Sequence, residues 1–165
     1  MSQFDNTLPP ELANEYKTAL LAGLREIFTT MLGQRVAALD HRTTETPQVS
    51  ALVGLAGDFS GVITLHFSED AACKVATGIL GMTLTTLDEM VRDAIAEMAN
   101  MVAGGFKKAL SRDREMFKVS IPSVIQGMSY NTRGSSNSRQ IWFGVGTDSY
   151  QFDLQLIVEM KKPGE

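Results

Sequence analysis

Residues 87–110 read LDEMVRDAIAEMANMVAGGFKKAL, 24 positions without a proline in which an apolar residue returns every three or four. That period belongs to an amphipathic α-helix, and its length makes it the central helix of the chain. With Glu97 at the origin and about 100° per residue, Leu87, Val91, Ile95, Met98, Val102 and Ala109 gather on one side as a core stripe. Asp93, Glu97, Asn100 and Gly104 gather on the other side, at i, i+4, i+7 and i+11. Two carboxylates, a carboxamide and a bare backbone position therefore form one outward row.

A polar stripe on a helix is ordinarily a solvated face. Here, however, Asn100 and the consecutive Gly104 and Gly105 stand where Lys, Glu or Gln would favour helix, each Gly costing roughly 1 kcal/mol relative to Ala. Something other than helix stability selects them. Met90 and Met101 fall on the same arc, and two readings stay open for them: a neighbouring element covers them, or their soft side chains serve a partner surface.

Composition bounds what surrounds this helix. A chain of 165 residues with 44% hydrophobic content is a single domain with one core, here residues 1–165, with 1–10 as a flexible N-terminus and 161–165 as a C-terminal tail. A net charge of −4 and no basic cluster beyond Lys107-Lys108 and Lys161-Lys162 argue against nucleic acid. MSQFDNTLPP has neither a basic nor an apolar targeting region, and no run of about eighteen apolar residues occurs. The expectation is a cytoplasmic protein without a membrane segment. The lone Cys73 reads as a small buried thiol rather than a nucleophile.

Around the central helix the pattern alternates between helix and hairpin. A first helix is expected from about Glu11 to Leu32, stopping at Gly33, with Leu12, Tyr16, Ala19, Leu20, Leu24, Ile27, Phe28 and Met31 on its apolar side. Residues 33–48 read as an irregular or edge segment. SALVGLA and FSGVITLHF then form a hairpin about Gly57-Asp58, in which His66 alternates away from the core and reads as a surface residue. A second helix is expected from Glu69 to Leu80, capped by Ser68 and ended by Gly81.

The central helix should begin at Thr85 or Thr86, with Asp88 and Glu89 in its first turn and Lys107 and Lys108 in its last. Pro122 inside the strand Val119 to Gln126 implies an edge or a bulge. SYNTRGSSNSR reads as a connecting loop. QIWFGVGT and YQFDLQLIVEM close the chain as a hairpin about Asp148-Ser149, with Gln151, Asp153 and Gln155 on a wet face. Aligning LREIFTTMLG with IAEMANMVAG sets Glu26 over Glu97, Thr29 over Asn100 and Gly33 over Gly104, so the chain looks duplicated, with a silent first copy.

His41 and His66, twenty-five positions apart, offer no triad and no convincing metal cluster. A carboxamide, by contrast, accepts and donates at once. It can hold a water in line with an electrophile, which is most of what phosphoryl transfer asks of an enzyme.

Asp93-x3-Glu97-x2-Asn100, followed after twenty-one intervening residues by Pro122, resembles the signature of the CheC/CheX/FliY family of chemotaxis phosphatases. AIAEMANMVAGG and VSIPSVIQG look like that family in their particulars, and a single complete motif makes the chain closer to CheX than to CheC, which carries two. The resemblance implies an α+β, two-layer fold: a largely antiparallel sheet packed with long helices in pseudo-duplicated helix-hairpin halves. It implies hydrolysis of the aspartyl phosphate of a CheY-type response regulator, whose own acidic residues hold Mg²⁺, so this chain brings no cofactor or metal. Asn100 would orient the attacking water, Glu97 would pair with the regulator's lysine, and Asp93 would support. Gly104 would either let the partner's backbone approach or make a packing contact, and Pro122 would brace the strand beneath the helix. A symmetric homodimer whose sheets join is also implied. The alternative is a non-catalytic domain of the same fold that only binds a regulator or serves as a scaffold.

Overall fold

The computed structural model describes residues 7–43, 46–111, 117–127 and 134–159. Its first helix, α1 (Pro10–Ile27), has proline in the first turn, where a missing N–H goes unused, and runs on into a π-helical turn, Phe28–Leu32. That turn ends at Gly33, whose φ of 63° suits glycine. The extra residue in a π turn rotates the side chains beyond it about the helix axis, so Met31 leaves the buried side and is 45% exposed. Thr7 to Pro10, placed by sequence in a flexible terminus, are docked instead: Leu8 is buried and its N–H donates to the Gln140 carbonyl at 3.3 Å. Residues 1–6 and the tail 161–165 lie outside the described residues.

Helix α2 (Glu69–Leu80) has the expected ends, with Ser68 Oγ accepting from the Ala71 N–H and Gly81 at a φ of 67°. Cys73 is buried in it, and burial pushes its thiol pKa up. Helix α3 (Glu89–Leu110) starts later than Thr85 or Thr86. Asp88 caps it by accepting from the Val91 N–H at 3.0 Å, while the Leu84 N–H is held out of the helix by Thr77 Oγ1. Leu87, Val91, Ile95, Met98 and Val102 are buried as a stripe, but Ala109 is exposed because α3 outruns its cover after Phe106.

The strands are β1 (Ala37–Ala38), β2 (Val49–Gly57), β3 (Ser60–Phe67), β4 (Phe117–Val119), β5 (Ser123–Gln126), β6 (Ser138–Gly146) and β7 (Gln151–Glu159). They form one antiparallel seven-stranded sheet in the order β1-β6-β7-β3-β2-β4, with β5 also on β2. Among the described residues, α1, α2 and α3 cover one face, in an α+β two-layer arrangement. Of the loop read at SYNTRGSSNSR, Ser138 and Arg139 already belong to β6 and residues 129–133 lie outside the described residues.

The duplication is visible in the topology. One half is α1, β1, β2, β3; the other is α3, β4 with β5, β6, β7; and β3 meets β7 at the centre. Each half lays its helix and rim strand on the other's hairpin. Thus β1 pairs with β6 and Phe28 stacks on Phe152, while β4 and β5 pair with β2, on which α3 also packs.

His66 is not a surface residue: it is 4% exposed, at the centre of a polar network on the sheet's second face. Ser50 Oγ lies 2.7 Å from Nδ1, and Nε2 lies 2.9 Å from Gln155 Oε1, whose Nε2 donates to Gln140. Gln155 Oε1 can only accept, so the neutral ring carries its proton on Nε2 and accepts at Nδ1 from Ser50. Of Gln151, Asp153 and Gln155, expected on a wet face of β7, only Gln151 is exposed. Asp153 and Gln155 are buried, with Asp153 accepting from the Trp142 indole and the Thr43 N–H. The cover is the segment Leu39–Thr43, whose Arg42 guanidinium lies 3.3 Å from the Trp142 ring centroid, itself stacked on His66. A Cβ on Gly144 would strike the His41 carbonyl, so glycine there admits this crossing segment.

Burial lowers the His66 pKa from its ordinary 6.5, opposed by its bond to Gln155 and by Asp153, and assisted by Arg42. The unfolded chain therefore binds this proton better than the folded one. Stability held here is complete above the ordinary value and drains as pH falls below it toward the lowered one. Melting curves at about pH 7.5 and about pH 5.5 should show a smaller drop for His66→Gln than for the unaltered chain. Equal drops would remove His66 from the acid response.

Candidate functional site

Helix α3 presents its row as its spacing requires. Asp93, Glu97 and Gly104 are exposed and Asn100 is half-buried. Among the described residues, the Asp93 and Glu97 carboxylates and the Asn100 carboxamide take part in no hydrogen bond or ion pair. The buried stripe beneath them, Ile95, Met98 and Val102, fixes the rod that carries these head groups. A groove of about 750 Å³ lies elsewhere, between α2 and the β6–β7 turn, lined among others by Gln34, Glu69, Lys74 and Ser149. A row that projects, rather than a pocket that encloses, suits entry into another molecule.

The two glycines divide their tasks. Gly105 is where α1 crosses, since a Cβ there would lie 3.0 Å from the Gly23 Cα. Gly104 faces open space, with nothing within 4 Å of the place a Cβ would take. Packing within the chain therefore explains Gly105 and leaves Gly104 without a task. Met90 is 45% exposed, beside the row, whereas Met101 is half-buried and packed against the core. In the first copy, Glu26 and Thr29 are also exposed, but Thr29 sits inside the π turn and Gly33 ends its helix instead of continuing it. The two rows are thus not superimposable in detail.

On its other flank α3 runs along the sheet edge. Near its start Arg92 Nη1 donates to Gln126 Oε1 at 3.1 Å, and near its end the Phe106 ring lies 5.7 Å from Phe117. The helix is therefore antiparallel to β4–β5, and the residues between those strands lie alongside its middle. Pro122 stands there, half-buried, where the register against β2 slips by one: Val119 faces Leu55, but Val124 faces Ala51. This is the edge bulge the proline implied. Sequence reasoning passed over the residue before it, Ile121, which is 86% exposed; the signal was an isoleucine directly ahead of a strand-breaking proline.

The mixed two-layer fold, a seven-stranded antiparallel sheet under helices, is that of CheX- and CheC-like proteins. CheX from Vibrio vulnificus superposes with a TM-score of 0.78 at 24% identity, covering 89% of this chain and 98% of that one. A Borrelia burgdorferi CheX, solved as a CheX–CheY–BeF3–Mg complex, gives 0.68 at 21% identity over 88% and 98%.

Residues 49–145, more than half of the chain and including the row and Pro122, match the family described as "Chemotaxis phosphatase CheX"; the chain belongs to that family. The CheY-P phosphatase CheX of Thermotoga maritima is 28% identical to it over 109 residues, 66% of this chain and 70% of that protein. Among the described residues no helix is long and apolar enough to cross a membrane.

Proposed function

We propose that this single-domain protein acts in the cytoplasm as a phosphatase that removes the aspartyl phosphate of a CheY-type response regulator. The observation that carries the reading is the unengaged Asn100 carboxamide, one turn from the unengaged Glu97 carboxylate on a rigid helix. A docking helix alone would have no use for the carboxamide. In the regulator's active centre it accepts from the attacking water and holds it in line with phosphorus. The water oxygen bonds to phosphorus, the bond to the aspartate oxygen breaks, and the water's proton leaves on inorganic phosphate. Mg²⁺ stays with the regulator's acidic residues. Glu97 pairs with the regulator's lysine, a contact that strengthens as water leaves the interface, and Asp93 adds negative charge one turn behind it.

The family resemblance also implies a symmetric dimer whose sheets join. Among the described residues β1 ends the sheet on the side away from α3, so pairing there would leave both rows open.

Incubation with a panel of phosphorylated receiver domains and Mg²⁺ tests the reading: at least one should lose phosphate faster than it does alone. Glu97→Ala should then weaken binding to that receiver by about tenfold while keeping much of the rate at saturation. A binding titration unchanged by the substitution would remove Glu97 from the contact.

A further inference from the structure

We propose that the Ile121–Pro122 bulge is the second half of the docking face, with Ile121 as an apolar anchor for the same receiver domain that Asn100 enters. The inference rests on the phosphatase reading and adds a contact to it. The bulge is held in shape. The Ser120 N–H donates to the Gly54 carbonyl, Ser120 Oγ accepts from the Gly54 N–H, and the same hydroxyl donates to the Ile121 carbonyl, each at 2.8 to 2.9 Å. Proline withholds a ladder donor at the slip, and the extra residue pushes a side chain outward. A large aliphatic group thus stands 86% exposed on a fixed loop, with no packing role in this chain.

Its place decides its occupant. Around α3, Arg92, Ala96 and Ala103 turn toward the β4–β5 edge, and Asn100 lies between them and Glu97, so Asn100 leans to the side where the bulge sits. Any body deep enough on α3 to bring a phosphoryl group to Asn100 meets Ile121 at its rim. Interfaces keep an apolar core beside polar contacts, and Ile121 with Met90 supplies it on either flank of the row. The bulge also accounts for the distal proline of the motif: its 21-residue spacing returns the chain along α3 to the level of Asn100.

The test uses the full chain and the receiver domain whose phosphate it removes fastest, loaded with BeF3⁻ and Mg²⁺ as a stable stand-in for the phosphorylated form. Ile121→Asp should weaken binding by about tenfold or more and raise KM, with kcat and melting temperature unchanged. Sedimentation should give both proteins the same mass. Unaltered affinity with intact phosphatase activity would overturn the inference alone. A lower mass for the variant would also overturn it, by assigning the bulge to a contact between copies of this chain. Failure of the unaltered protein to dephosphorylate any receiver would overturn the parent reading, and this one with it.

Discussion

Asn100→Ala is expected to slow dephosphorylation of the receiver by about a hundredfold or more, because a water left without its carboxamide is no longer aligned with phosphorus. Binding of the BeF3⁻-loaded receiver should change little, since Glu97, Ile121 and Gly104 remain. The protein itself should not suffer. Asn100 has no hydrogen bond among the described residues, and alanine favours helix by a few tenths of a kcal/mol, so the melting temperature should rise by roughly 1–2 °C. Rate, affinity and melting temperature together separate the roles. An unchanged rate rejects the mechanism, and a marked fall in melting temperature would make Asn100 a structural residue.

The second large effect contrasts two neighbours. Gly105→Leu puts a branched side chain where a Cβ alone would lie 3.0 Å from the Gly23 Cα, and backbone cannot yield as a side-chain tip can. The crossing of α1 and α3 has to open. A loss of about 3 kcal/mol is the scale for such overpacking, a drop of roughly 6–12 °C in melting temperature for a chain of this size. Gly104→Leu meets open space and removes a helix-weakening glycine, so it should raise the melting temperature by about 2 °C. It should nonetheless reduce dephosphorylation by about tenfold or more, because the new side chain stands one turn from Asn100 in the path of the approaching receiver. Thermal melts and rates on both variants decide the matter. If Gly104→Leu keeps full activity, no partner backbone comes close at that position.

How much of this structure is legible in the chain depends on how local each feature is. Ser68 and Gly81 bracket α2 because capping and positive φ are settled within a few residues. The outward row on α3 is legible because helical spacing alone places Asp93, Glu97, Asn100 and Gly104 together. His66, Asp153 and Gln155 are misplaced on a wet face for the opposite reason. Alternation in β3 and β7 assigns them correctly to the sheet's second side, but the crossing of Leu39–Thr43, which covers that side over Gly144, Trp142 and Asp153, comes from a distant part of the chain. Ala109 and Met31 fail where a helix outruns its cover or gains an extra residue per turn, and neither event leaves a mark on apolar period. In the site, the division of labour between Gly104 and Gly105 and the exposure of Ile121 need the third dimension, since each depends on what lies opposite rather than on what lies next in the chain.

The exchange of rims between the two halves has a consequence for how a one-sided molecule arises. Neither half closes its own layer, so a lone half could complete itself only by borrowing from an identical twin, and the axis between β3 and β7 has the form of a contact between separate molecules with α2 as the tether across it. Such a partnership binds the halves to agree about shape and leaves them free to differ in head groups. Thr29 could replace a carboxamide on one side without disturbing the scaffold that holds Asn100 in place on the other.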